Sequence, residues 1–313
     1  MSTAPRAQAT APAIDEITAA QVMLDRAGFS PGELDGRLGT NTRNALSAFQ
    51  QAHGLPATGR LDSATSQKLA ERMGGLPPIV TYAITRDDVD GPFTPRIPAD
   101  MMEKARLDAL GHTSALELLA ERFHVSPTLL RRWNRGASFT RPAESIWVPN
   151  VDVVEMPMPP EPPRGRRGTP PVGTTGTTGV TIYVTKATSA LTVEDASGRV
   201  IFHAPVTSGS EHDPLPIGQW KVTRVFPMPT FNYNPALFWD ADPKHAKARI
   251  APGPNNPVGT VWIDLSKEHY GLHGTPEPSR IGHTQSHGCV RLTNWDIQRV
   301  ARWAAPGTAV IFR

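Results

Sequence analysis

Apolar positions recur at helical spacing near the start of the chain. Ala20, Met23, Leu24 and Ala27 fall at i, i+3, i+4 and i+7, on one face of a helix. Gly28 ends it, and Ser30-Pro31-Gly32 and Asp35-Gly36 supply turn chemistry. Asn41 is placed to cap a second helix carrying Ala45, Leu46 and Phe49, stopped by His53-Gly54-Leu55-Pro56. Asp62 caps a third, short helix ending near Leu69. Residues 17–74 therefore predict a small helical bundle, preceded by a disordered N-terminus over 1–16.

A second unit is expected over 101–151. Ser114-x-x-Glu117 reads as a capping box before Leu116, Leu119, Ala120 and Phe123. Ser126-Pro127 opens another helix with Leu129, Leu130 and Trp133. Ile146-Trp147-Val148-Pro149 reads as a short strand. A first strand is missing from this segment, and Gly111-His112-Thr113 stands where its turn belongs. Residues 152–179 form a linker, with seven prolines between Pro157 and Pro171 and then a Gly-Thr repeat. Its proline part is extended and its Gly-Thr part flexible, so it should separate the first two units from the third.

Residues 180–313 are strand-rich. Val180–Val184, Ala190–Val193 with Val200–Phe202 across an Ala196-Ser197-Gly198 turn, Gln219–Phe226, Thr260–Leu265 and Thr308–Phe312 carry β-branched and apolar residues. Asn294 is placed to cap one helix with Ile297, Val300, Ala301 and Ala304. The expected class is multidomain α+β: a helical bundle, a small α/β unit, and a mainly antiparallel, β-sandwich-like domain.

Composition narrows the partners. The 313 residues carry a formal charge of +3, too mild for dedicated nucleic-acid binding. No run reaches the ~18 apolar residues of a membrane helix. Met1 to Ala13 lack a charged stretch followed by an apolar one, so this chain shows no export signal.

The densest chemistry surrounds the single cysteine. Cys289 lies in Ser286-His287-Gly288-Cys289-Val290-Arg291, sixteen positions after His273. A lone cysteine is an inert thiol, part of a mixed zinc site with His273, His283 and His287, or a nucleophile. The flanks favour the nucleophile. Gly288 permits close approach of backbone, successive N–H groups can converge on an oxyanion, and a histidine supplies the base. Arg291 shares a strand face with Cys289 and is placed to hold a carboxylate. The other histidines have no motif context and default to surface or packing roles.

Three resemblances follow from these motifs. Leu24…Gly28-Phe29…Asp35-Gly36…Ala45-Leu46…Phe49-Gln50…Gly54-Leu55…Thr58-Gly59 resembles the peptidoglycan-binding three-helix module of cell-wall enzymes. Leu-Ala-Glu-Arg-Phe-His and Leu-Arg-Arg-Trp-Asn resemble a degenerate LysM-type glycan-binding module. His273-Gly274-Thr275 with Ser286–Leu292, supported by Leu215–Val222, Asn255–Gly259 and Tyr270–His273, resembles the L,D-transpeptidases that crosslink peptidoglycan.

The last resemblance implies roles. Cys289 is the nucleophile, His273 its base, and the Gly274 carbonyl orients the imidazole. Ser286, His287 and Gly288 shape the pocket and oxyanion hole. Arg291 and Tyr270 contact substrate. No cofactor and no metal are implied. The partners are peptidoglycan stem peptides and glycan, with a wall-anchored protein as a further acceptor, in the periplasm or cell wall. Water as acceptor would make a carboxypeptidase, and a dead domain would leave a wall-binding scaffold. The Pro-, Asn- and Trp-rich stretch 228–254 is placed to form a lid.

Overall fold

The computed structural model describes residues 11–153 and 179–313. The calls on residues 1–10 and on 154–178 of the linker lie outside the described residues. Helices α1 (Glu16–Arg26), α2 (Thr40–Ala52) and α3 (Ser63–Met73) form the first bundle. Ala20, Leu24, Phe29, Ala45, Leu46, Phe49 and Leu69 are its buried core. Asp15 and Asp62 cap α1 and α3 through Thr18 N–H and Thr65 N–H, at 2.7 and 2.8 Å. Gly39, not Asn41, stands at the N-cap of α2, and α3 runs on to Met73. The Asn41 side chain instead donates to the Ile281 carbonyl of the third unit at 2.8 Å.

The second unit begins earlier than the sequence suggested. Strand β1 (Ile79–Ala83) pairs antiparallel with β2 (Ser145–Pro149), so the expected first strand is present, outside 101–151. Its β-branched run sits behind Pro77-Pro78 and far from its partner in sequence, which hid it. Short helices α4 (Arg86–Asp90) and α5 (Met101–Lys104) fill the excursion before α6 (Ala115–Arg122) and α7 (Pro127–Trp133). Ser126 and Pro127 open α7 as expected. The Ser114 hydroxyl accepts from Glu117 N–H at 3.3 Å, but the Glu117 carboxylate turns to Thr113 N–H at 2.6 Å rather than closing the box.

The third unit is one nine-stranded sheet folded on itself. It contains β3 (Thr181–Thr185), β4 (Ala190–Glu194), β5 (Val200–Pro205), β6 (Thr207–Ser208) and the ten-residue β7 (Gly218–Pro227). Strands β8 (Phe231–Tyr233) and β9 (Ala248–Ile250) form a separate pair. Strands β10 (Val261–Leu265), β11 (Gly271–His273), β12 (Val290–Arg291) and β13 (Ala309–Phe312) complete the sheet, in the order β5-β4-β3-β13-β7-β10-β11-β12-β6. The first half of β7 pairs with β13 and the second half with β10, so one long strand serves both layers. Pairing is mainly antiparallel, with β13·β3 and β11·β12 parallel. Helix α8 (Asn294–Ala301) packs Ile297, Val300 and Ala301 into the core. Thr293, not Asn294, caps it through Asp296 N–H at 3.1 Å.

The three units are not held apart. Ser30 N–H donates to the His203 carbonyl at 2.8 Å, extending contact from the bundle onto β5. Beneath this lies a buried charge cluster. Asp25 of α1 accepts from both guanidinium nitrogens of Arg299 of α8, at 2.7 and 3.1 Å. His124, between α6 and α7, sets Nδ1 3.1 Å from the same carboxylate and stacks on Trp295 at 5.1 Å. Burial penalises the Asp25 charge, yet Arg299 and His124 hold its carboxyl well below the usual range. Burial pushes Asp296 up to about 7, although the Ser30 and Thr293 hydroxyls donate to its Oδ2. The expectation that the linker separates the modules fails because each contributes a member to this cluster.

Removing one partner should expose the cost of the other. Asp25→Asn leaves the Arg299 guanidinium buried without its carboxylate and should destabilise the chain by about 3–5 kcal/mol in urea unfolding. An Asp25→Leu/Arg299→Met double variant should lose much less. An unchanged midpoint for Asp25→Asn would contradict the cluster's structural role.

Candidate active site

The thiol stands at the start of β12. The parallel pairing of β11 with β12 sets Leu272 opposite Val290 and His273 opposite Arg291. Cys289 precedes Arg291 by two residues, so thiol, guanidinium and imidazole share one sheet face. The site residues proposed from sequence therefore come together here.

Each is fixed locally. The His273 ring is buried, stacks on Trp262 at 5.3 Å, and holds Nδ1 2.7 Å from the Gly274 carbonyl. That contact requires a proton on Nδ1 and leaves Nε2 as the basic nitrogen. Gly274 has no room for a side chain, since a Cβ there would overlap Asn294 Oδ1. Ser286 is buried. Its hydroxyl donates to the Cys289 carbonyl at 2.6 Å and accepts from Gly209 N–H at 2.7 Å. Gly288 has φ +94°, and a Cβ would lie 2.7 Å from the Tyr270 ring, so glycine lets Tyr270 pack against the thiol turn. Among the described residues, the N–H groups of His287, Gly288 and Cys289 have no protein acceptor.

Electrostatics set the resting state. Burial pushes the Cys289 thiol above its usual value, opposed by a Gly271 N–H directed at the sulfur and by the Arg291 charge. Burial and Arg291 push His273 down to about 3. Thiol and imidazole are therefore both neutral at rest, and the thiol donates to the His269 carbonyl at 3.6 Å. Arg291 favours a thiolate and disfavours an imidazolium, and forms no ion pair among the described residues. The chemistry available is nucleophilic attack by sulfur, with proton transfer to Nε2 during the attack.

Residues 228–254 reach over this turn. Asp240 accepts from His287 Nε2 at 2.7 Å, and the Phe238 and Trp239 rings lie 5.0 and 5.6 Å from the imidazole. On the other flank, Thr207, Ser208, Ser210, Glu211, Thr284 and Gln285 line a cavity of about 510 Å³. Asn44 of α2 reaches the Thr188 carbonyl beside it at 3.0 Å.

Several contributors escaped sequence reading. Asn294 Nδ2 donates to Glu121 Oε2 of α6 at 3.0 Å, and its Oδ1 accepts from Thr260 N–H at 3.1 Å, behind Gly274. Asn255 Nδ2 donates to Glu117 Oε1 at 2.8 Å. The second unit thus braces the loops behind His273. Nothing in the local sequence marks Glu121 except its place on the polar side of an amphipathic helix. Trp262 could have been paired with His273 by strand register. His283 shows no role at the thiol.

Comparison with known proteins places these features. Residues 179–312 match the L,D-transpeptidase catalytic domain, and residues 14–69 match a putative peptidoglycan binding domain. A putative L,D-transpeptidase of Bacillus licheniformis is 48% identical over 59 residues, which is 19% of this chain and 36% of that protein. Another from Bacillus subtilis is 27% identical over 136 residues, 42% of this chain and 69% of its own. The chain thus spans about a third of the first of these relatives. An L,D-transpeptidase structure from Mycobacterium smegmatis aligns over 43% of this chain and 58% of its own, at 17% identity and a TM-score of 0.35. Residues 179–312 are thus similar to the L,D-transpeptidase catalytic domain, and residues 14–69 to a putative peptidoglycan binding domain.

Proposed function

We propose that this protein is a peptidoglycan L,D-transpeptidase acting through a Cys289 acyl-enzyme. The observation that carries this reading is the His273 Nδ1 contact to the Gly274 carbonyl, which keeps Nε2 basic on the face shared with Cys289. Sulfur attacks the carbonyl at the L-centre of a diamino acid in a stem tetrapeptide. Its proton passes to Nε2. The N–H groups of His287, Gly288 and Cys289 receive the oxyanion. Terminal D-alanine leaves, taking the proton from His273. An amine then attacks the thioester, and sulfur departs with the proton returned through His273. Arg291 holds a substrate carboxylate, Tyr270 lines the path to sulfur, and residues 228–254 act as a lid. The acceptor is a neighbouring stem, a D-amino acid or a wall-anchored protein; water gives carboxypeptidase action. The 17–74 bundle and the LysM-like unit, in which paired strands β1 and β2 flank helices α4 to α7, hold the catalytic domain against glycan. The working location is the periplasm or cell wall. No helix among the described residues is long and apolar enough to cross a membrane.

With purified disaccharide-tetrapeptide and mass spectrometric readout, the wild type should yield a dimer lacking one D-alanine, and Cys289→Ala should yield none. Product from Cys289→Ala would overturn the reading. Because His273 is neutral down to about 3, kcat/KM should stay level as pH falls from about 7 to about 5, whereas a loss centred near 6.5 would contradict it. Iodoacetamide alkylation of Cys289 should still be accelerating above about pH 9, since its thiol is pushed up. Glu121→Ala removes the brace on Asn294 and should lower kcat about tenfold at constant KM, with Glu121→Gln, which keeps an acceptor there, near wild type. Equal loss in both variants would contradict the brace.

A further inference from the structure

Trp239 is the one aromatic among the large hydrophobic side chains left exposed in the described residues, with 58% of its surface open. It belongs to the 228–254 stretch, and the residues on either side of it are fixed. The Phe238 ring packs beside Phe231 and Tyr233, at 6.3 and 5.5 Å, in a cluster that Leu110 and Met101 of the second unit complete. Asp240 accepts from His287 Nε2 at 2.7 Å. Between these anchors the indole is turned to solvent rather than into the cluster. It leans on the exposed His212 ring at 4.5 Å and on the His287 ring at 5.6 Å. His287 stands two residues before Cys289, so this platform adjoins the thiol turn.

The surroundings suit a sugar. The face of an aromatic ring is electron-rich, and the C–H bonds on one face of a pyranose are weakly positive, so the two stack. Hydroxyl and amide groups at the sugar's edge then need acceptors. Glu211, next to His212, and Asp240, next to Trp239, are both exposed. The Glu211 carboxylate and Asp240 Oδ2 make no hydrogen bond among the described residues, so both are open to a ligand. Two carboxylates repel an acidic stem peptide, and a neutral sugar ring avoids that cost. Because Phe238 and Asp240 already hold the backbone on both sides of the indole, little ordering is lost when the platform is used.

We propose that Trp239 is the platform of a sugar subsite, on which one pyranose ring of the donor's glycan stacks, with Glu211 and Asp240 accepting from its hydroxyl or amide groups. This rests on the transpeptidase reading above and names which part of the donor the 228–254 stretch recognises. Three stem residues, about 10 Å when extended, separate the attacked carbonyl from the sugar. Two residues of the thiol turn, at most about 7 Å, and the 5.6 Å between the His287 and Trp239 rings bridge a similar distance from Cys289 to the indole. A stem whose carbonyl lies at sulfur therefore brings its sugar to Trp239, and the enzyme prefers donors that still carry their glycan.

The test compares two donors on the full chain: disaccharide-tetrapeptide and the same tetrapeptide without sugar. D-alanine release gives kcat/KM for each, and their ratio reports recognition of the glycan. The wild type should favour the disaccharide donor, and Trp239→Ala should lower the ratio about tenfold through KM, the scale of a lost aromatic contact. Trp239→Phe keeps a smaller ring and should hold part of the ratio. Trp239→Leu keeps apolar bulk without a π face and should fall as far as Trp239→Ala. An unchanged ratio in Trp239→Ala, including equal loss on both donors, would overturn the assignment, as would a full ratio in Trp239→Leu. Absence of D-alanine release from the wild type would instead sink the transpeptidase reading, and a second measurement still tests the subsite. Cys289→Ala titrated with disaccharide-tetrapeptide should change its tryptophan fluorescence, and Cys289→Ala/Trp239→Leu should lose that change. An equal change in both proteins would overturn the platform.

Discussion

The buried pairing of Asp25 with Arg299 is the constraint around which the chain is assembled. One carboxylate from the bundle meets a guanidinium from the catalytic domain's helix and an imidazole from the second unit. Charges taken from water need near-complete compensation, so the three elements can approach only in an arrangement that supplies it. Helix α8 is thereby fixed at both ends: Arg299 is gripped by the bundle, and Asn294 by Glu121. Since Asn294 also backs the Gly274 turn, docking of the N-terminal units reaches the imidazole through two hydrogen bonds and a missing Cβ.

The site shows why burial and catalysis need not conflict. Desolvation raises the thiol and lowers the imidazole, so the resting pair carries no charge. An exposed ion pair would be a readier nucleophile toward any electrophile. In the proposed reaction a neutral pair is activated only when a carbonyl arrives and sulfur can pass its proton to Nε2. Arg291 and the Gly271 N–H lower the cost of the thiolate at that moment without creating it beforehand. A peptide backbone carbonyl at Gly274 orients the histidine, which spares the site a buried carboxylate.

How much of this was legible depended on sequence distance. Cys289, His273, Gly274, Ser286 and Arg291 lie within nineteen residues, and strand periodicity plus short-range motifs bring them together. The three bundle helices were legible from apolar spacing and aspartate caps. What stayed hidden was long-range. Strand β1 needs a partner some sixty residues away, and nothing local names it. Asn294 looked like a cap because capping is what an asparagine before an apolar helix usually does. The structure gives that task to Thr293 and spends Asn294 on Glu121, 173 positions earlier. Docking of the modules was likewise invisible, because a proline-rich stretch reads as a spacer whatever the units on either side do.

The central claim is that Cys289 carries the acyl group. Intact-protein mass spectrometry after brief exposure to disaccharide-tetrapeptide, followed by peptide mapping, tests it directly. The account predicts a mass increase equal to the donor less D-alanine, mapping to the peptide that contains Cys289 and lost on treatment with hydroxylamine. Turnover of the substrate with no adduct at Cys289, or with an adduct on another residue, would contradict it.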